Sequence, residues 1–131
     1  MTLTEFHPSH LGALRPVWRS ERRLLASITR QHVAALASSP GVTLWAEGRP
    51  IACAGVLGDV EVWAVFDESC RRHTFTLLRA AREFLNRFGW LYARVDQEFR
   101  SGCRLLEVLG FKNTGPRKLA GKVRVQYERA T

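Results

Sequence analysis

Arg71, Arg72 and His73 stand together in the stretch FDESCRRHTFTLL (residues 66–78), between an apolar run that reads as a strand and one that reads as a helix. Cationic side chains at such a junction suit a phosphate. A guanidinium can bind one bidentately, and the start of a helix adds backbone N–H groups and the positive end of its dipole. Phosphate-binding loops usually carry glycines, because the backbone must come close to the ligand. This loop has none. It either holds an anion through side-chain charge or is the remnant of a loop that once did.

The other reactive residue types are dispersed. Cys53, Cys70 and Cys103 are widely spaced, with no CxxC pair and no Cys/His cluster, so no zinc site is expected and the thiols read as free. His7 and His10 could share a metal at their i,i+3 spacing, but no carboxylate or cysteine joins them locally, and the expectation is that no metal is bound. The formal net charge is +8, with 20 basic and 12 acidic residues, and all the basic residues except Lys112, Lys118 and Lys122 are arginines. Such a balance suits nucleic acid, a nucleotide cofactor or an acidic protein, and equally a plain solvated surface.

A chain of 131 residues, 46% hydrophobic, fits one domain with a sizeable core, and residues 1–131 are read as one. No run reaches the ~18 apolar residues of a membrane span. The opening MTLTEFHPSH has no basic run before an apolar core, so a secretory signal is not expected and the protein reads as soluble and cytosolic in type. Residues 9–38 read as helical and split at Pro16, with Leu11, Leu14 and Trp18 on one face. Three strands follow at 42–47, 51–58 and 60–67, turning at Gly48-Arg49-Pro50 and at Gly58-Asp59. Residues 74–88 carry a helical stripe of Leu77, Leu78, Ala81, Phe84, Leu85 and Phe88, and Gly89 stops it. A strand at 90–96, a short helix with Cys103, Leu105, Leu106 and Leu109 inward, and two strands (FKNTG and KVRVQYERA) around a basic Gly/Pro turn complete the order. Trp45, Trp63 and Trp90 fall on strands, as core or groove lining. The helix at 74–88 is long enough for a right-handed crossover, which makes its two flanking strands parallel. The expected class is α/β (α+β): a central mixed sheet of about six strands flanked by helices.

This order, with Arg104-Leu105-Leu106-Glu107-Val108-Leu109-Gly110-Phe111 closing the short helix, resembles the GCN5-related N-acetyltransferase (GNAT) superfamily, whose last helix typically reads A..LY.K.GF. The whole chain, including FHPSH and VTLWAEGRPIACAG, is similar to small GNAT-like proteins of short-tailed bacteriophages, among them podovirus internal virion (core) proteins.

The resemblance implies a site for acetyl-CoA. Its pyrophosphate would lie on a Q/R-x-x-G-x-G/A loop at the start of the helix. Anchored on Leu77-Leu78, that pattern puts Ser69 at the Q/R position and Arg72 and Thr74 at the glycines, so all three matches fail. The cofactor-binding residues it implies are Val65 and Phe66, as oxyanion donors from the preceding strand, and Ser69, Arg71, Arg72, His73 and Thr74. Acetyl transfer to an amine also needs a base and benefits from an acid for the thiolate. Glu61, Asp67, Glu68 and Asp96 are candidate bases; Tyr92 and Cys103 are candidate acids, and Leu106 takes the place of the family's tyrosine. Of these, Glu61, Asp67 and Tyr92 are the catalytic candidates retained. The reading adopted is a degenerate acyl-CoA site in a protein of assembly or internal virion role. Its partners would be phage or host proteins or further copies of itself, in the host cytoplasm during infection or in the virion. A CoA-dependent N-acetyltransferase is the alternative. The basic C-terminal hairpin (Lys112, Arg117, Lys118, Lys122, Arg124, Arg129) also admits weak nucleic-acid binding.

Overall fold

A computed structural model describes residues 2–15, 30–119 and 121–130. Seven strands form one mixed sheet: β1 (Thr2–Glu5), β2 (Gly41–Ala46), β3 (Arg49–Leu57), β4 (Glu61–Phe66), β5 (Leu91–Asp96), β6 (Lys112–Leu119) and β7 (Lys122–Arg129). The spatial order is β1-β2-β3-β4-β5-β7-β6. Neighbours are antiparallel except β4 and β5, which run parallel as the crossover argument requires. That crossover is helix α2 (Thr74–Leu85); α1 (Arg30–Ala37) precedes the sheet's second strand and α3 (Arg100–Val108) follows β5.

The alternation of side chains along each strand divides the core between two faces. On one face Leu91 and Ala93 of β5, Val56 of β3 and Tyr127 of β7 pack with Phe84 and Leu85 of α2 and with Leu109 and Phe111 beyond α3. Leu44, Ala46, Ala52 and Cys70 continue this layer beneath Leu77 and Ala80. On the other face Cys53 and Val65 pack with Phe6, Leu11 and Leu14 and with half-buried Trp63 and Leu36. Full burial of each such aliphatic side chain is worth about 1.5–3 kcal/mol.

Two close approaches need glycine. The Trp63 indole lies over Gly55 so tightly that a Cβ there would stand 2.6 Å from Trp63 Nε1 and 2.7 Å from the Pro40 carbonyl. A Cβ on Gly102 would meet the Phe99 ring at 2.7 Å.

Several expectations need correction. β1 was not anticipated: TLTE is short and polar and pairs as an edge strand through Thr2↔Trp45 to Glu5↔Val42. Of the helical stretch expected over residues 9–38, the described residues form a 3-10 helix at Pro8–Ala13, in which His7 and His10 form a reciprocal cap, and α1; residues 16–29, with Pro16 and Trp18, lie outside the described residues. Helix α2 ends at Leu85 rather than Phe88, where Asn86 turns the chain and accepts a 2.8 Å bond from the Arg129 guanidinium. The basic Gly/Pro stretch is not a turn but part of β6, which runs through Pro116 with a register shift between Asn113 and Gly115. An edge strand tolerates this proline, since its unpaired side needs no N–H donor. Trp90 precedes β5 and is 45% exposed, so it is not core.

Candidate functional site

β4 and β5 pair at one position only, Glu61↔Tyr92, with Tyr92 N–H donating to the Val60 carbonyl at 2.8 Å. Toward their C-terminal ends the strands part. A cavity of about 400 Å³ opens there, lined by Phe66, Ala64 and Trp63 of β4, Ala93, Arg94 and Val95 of β5, and Leu105 and Leu106 of α3, among others. Leu106 forms a wall of this space. Arg72 and Phe75 are not among its lining residues, and Phe75 is 87% exposed, so neither plugs the gap.

Which backbone donors face the gap follows from alternation along β4. Asp67 N–H donates to Ile51 on β3 (2.8 Å), so the N–H of Phe66 points the other way, to the side that β5 vacates. Val65 N–H points to β3. Of the two expected oxyanion donors, therefore, Phe66 faces the open space and Val65 does not.

Glu61 and Tyr92 are brought together near the closed end of the gap by a residue that the sequence reading did not single out. Arg94 lies 3.9 Å from the Glu61 carboxylate and stacks its guanidinium 5.0 Å from the Tyr92 ring centroid. Its Nε also donates to Gln126 Oε1 at 3.2 Å. The signal was present as period-two spacing: Tyr92, Arg94 and Asp96 share one face of β5. Asp96 caps the turn into α3, accepting from Glu98 N–H at 3.0 Å.

Asp67, the third catalytic candidate, is elsewhere and turned inward. It ends β4 with no solvent exposure. Its carboxylate accepts from Arg15 N–H (2.7 Å), Ser69 N–H (3.0 Å) and Ser69 Oγ (2.6 Å), and pairs with the Arg15 and Arg49 guanidinium groups at 3.4 and 3.2 Å. Burial pushes this carboxyl up, but the bonds from Ser69 and Arg15 outweigh burial and hold it well below the usual carboxylate range. A carboxylate so satisfied cannot serve as a base; its role is structural. Glu68 is exposed and pairs with Arg15 at 3.4 Å.

The loop after Asp67 is a 3-10 helix, Glu68–His73, running directly into α2. Ser69 is buried against Asp67; Arg71 and Arg72 are exposed, His73 is half-buried, and Thr74 donates its hydroxyl to the Arg71 carbonyl at 3.2 Å. Four consecutive backbone donors are used internally: Asp67 N–H to Ile51 O, Glu68 N–H to Arg15 O (2.9 Å), Ser69 N–H to the Asp67 carboxylate, and Cys70 N–H to Asp67 O (3.0 Å). These bonds precede the positions that the resemblance gives to the loop's glycines, Arg72 and Thr74, where side chains stand at both close approaches.

The other candidates are accounted for in the same way. Cys53 is fully buried, and burial pushes its thiol up to about 11. Cys103 is half-buried beside Tyr127, whose hydroxyl is pushed up to about 12 by burial, Cys103 and Glu107. His7 Nδ1 accepts from Ser9 N–H, and His10 Nδ1 accepts from His7 N–H and sits 2.8 Å from Thr43 Oγ1. Burial and then the neighbouring His7 lower the pKa of His10, which suits a neutral acceptor ring. Among the described residues no three His, Cys, Asp or Glu side chains converge as a metal site, and no helix is long and apolar enough to cross a membrane. The basic hairpin is partly self-satisfied: Arg129 binds the Leu109 carbonyl and Asn86, and Arg117 binds the Thr114 and Pro116 carbonyls.

Solved structures carry the same architecture. An acetyltransferase of the GNAT family from Streptococcus pneumoniae superposes with TM-score 0.71 at 11% identity, covering 98% of each chain. The fold is that of the GNAT acetyltransferases. An IAA acetyltransferase from Bacillus cereus gives TM-score 0.67 at 14% identity over 99% of each chain. AAC(6')-Ib, in complex with acetyl-CoA, gives 0.69 at 18% identity over 98% of this chain and 92% of that one. No family model matches the chain, and no curated protein matches it by sequence.

Proposed function

We propose that this is a GNAT-fold protein whose acyl-CoA site has degenerated, working through contacts rather than through efficient acetyl transfer. One observation carries the reading: the loop entering α2 has no glycine, with Ser69, at the Q/R position, buried against Asp67 and with Arg72 and Thr74 at the two glycine positions. Leu106 supports it, since a leucine on the cavity wall offers no proton to a departing thiolate. The similarity to small GNAT-like phage proteins supports an assembly or internal virion role, with phage or host proteins as partners.

A second reading, a CoA-dependent N-acetyltransferase, is favoured by the open gap, by Phe66 N–H facing it and by the Glu61–Arg94–Tyr92 group at its closed end. Release of free CoA thiol from acetyl-CoA, followed with the purified protein and an amine panel including spermidine and an aminoglycoside, separates the two. The degenerate reading predicts release at the rate without protein. Turnover that disappears in Glu61→Gln would establish the enzyme instead.

A further inference from the structure

The 3-10 helix at Pro8–Ala13 is capped by two imidazoles, where Ser, Thr, Asp or Asn is the usual cap. His7 Nδ1 accepts the Ser9 N–H at 3.1 Å and lies 2.7 Å from the Ser9 hydroxyl. His10 Nδ1 accepts the His7 N–H at 3.2 Å and lies 2.8 Å from Thr43 Oγ1 on β2. A ring nitrogen that accepts a backbone N–H carries no proton of its own, so both rings are neutral with the proton on Nε2. The Thr43 hydroxyl then donates to His10, and the Cys53 thiol, 3.6 Å from Thr43 Oγ1, is left to donate to Thr43. Thr43 and Cys53 have no solvent exposure, so neither can turn to water instead.

Protonation is incompatible with this arrangement. A proton on His10 Nδ1 would face the His7 N–H, and one on His7 Nδ1 would face the Ser9 N–H. The ring centroids are 5.9 Å apart, so two imidazolium charges would also repel. His10 is half-buried between the Trp45 and Phe6 rings, and burial, then His7, hold its pKa below the usual 6.5. The neighbouring groups do not offset a charge here. Glu5, at the end of β1, is exposed and makes no ion pair with either ring among the described residues. Arg49 of β3 adds positive charge, binding the Ala13 carbonyl at the far end of the 3-10 helix at 3.1 Å. β2 has no titratable side chain, and residues 34–37 of α1, which pack here through Leu36, have none.

The cap joins two pieces that can move together. β1 is an edge strand, held to β2 by its ladder and by Trp45 Nε1 donating to Thr4 Oγ1 at 2.7 Å. Phe6, Leu11 and Leu14 carry the attachment on to Cys53 and Val65. An edge strand can leave without breaking the rest of the sheet. We propose that His7 and His10 form a proton-operated latch: in mild acid they charge, the cap opens, and residues 2–14 come away from β2 while β3, β4, β5 and β7 stay paired. The neutral rings hold the segment fully above about pH 6.5, and that hold is lost as pH falls through the lower folded-state value of His10.

Hydrogen exchange of the full chain at about pH 7.5 and about pH 5, read by peptide mass and corrected for the intrinsic pH dependence of exchange, tests the latch. Protection of residues 2–14 is expected to fall about tenfold or more in acid, and that of β3, β4 and β5 to change less than about twofold. In the His7→Asn, His10→Gln double variant, amide oxygens can accept the same N–H groups without titrating, so protection of residues 2–14 should not depend on pH. NMR titration of the rings in the unmodified protein keeps the test decisive if that variant does not fold. Both rings should be Nε2–H tautomers at neutral pH, and the loss of protection should follow the His10 midpoint. The latch is overturned by protection of residues 2–14 that ignores pH, by an equal loss across the sheet, by a pH response unchanged in the double variant, or by an Nδ1–H tautomer at either ring.

Discussion

The Asp67 carboxylate accepts the Arg15 backbone N–H at 2.7 Å across 52 positions of sequence. This bond fastens the end of β4 to the chain that leaves the first 3-10 helix. Arg49, at the start of β3, is drawn to the same carboxylate at 3.2 Å. Three segments thus converge on one buried anion at the end of β4.

Asp67→Ala is therefore expected to destabilise the protein by about 2–3 kcal/mol, the range for hydrogen bonds to a charged group left unpaired, discounted because both arginines are partly exposed. Urea unfolding checks it through a lower midpoint at unchanged slope.

The same carboxylate gives stability a defined pH dependence. Its folded-state pKa lies below the unfolded value of about 3.9. Its contribution is fully present above that value and is lost as pH falls through the folded pKa. The difference in unfolding free energy between wild type and Asp67→Asn should be constant from pH 7 to about pH 5 and shrink below about pH 4. Parallel curves down to pH 2.5 would contradict this.

Gly55→Ala is expected to cost about 1–3 kcal/mol, because its Cβ would press on the Trp63 indole and the Pro40 carbonyl. Trp63→Leu should relieve part of that cost, so the double variant should be less destabilised than the sum of the singles, as a double-mutant cycle would show.

Cys53 should resist alkylation in the folded protein. With its thiol pushed up to about 11 and no solvent exposure, it offers almost no thiolate at pH 8. Iodoacetamide labelling followed by peptide mass analysis should find Cys103 modified first and Cys53 only once the chain is unfolded.

The parts of the fold that were legible in the sequence are those with strong period. The β2-β3-β4 meander, the α2 stripe and the parallel relation of β4 and β5 follow from apolar spacing and crossover length. β1 was hidden because an edge strand of four polar-alternating residues has no apolar run to announce it. The position of the loop and its lack of glycine were legible. The inward turn of Asp67 was not, since its partners Arg15 and Arg49 lie 52 and 18 positions away and no local pattern links them. Nor could spacing show that six scattered alanines would line one chamber.

Titration calorimetry of the purified protein with acetyl-CoA and with CoA tests the central claim most directly. With side chains at both glycine positions of the loop, Arg72 and Thr74, and Ser69 buried against Asp67, no binding is expected at millimolar ligand. A Kd below about 100 μM, roughly −5.5 kcal/mol, lost in the Arg71→Ala, Arg72→Ala double variant, would show that side-chain charge has replaced the missing cradle.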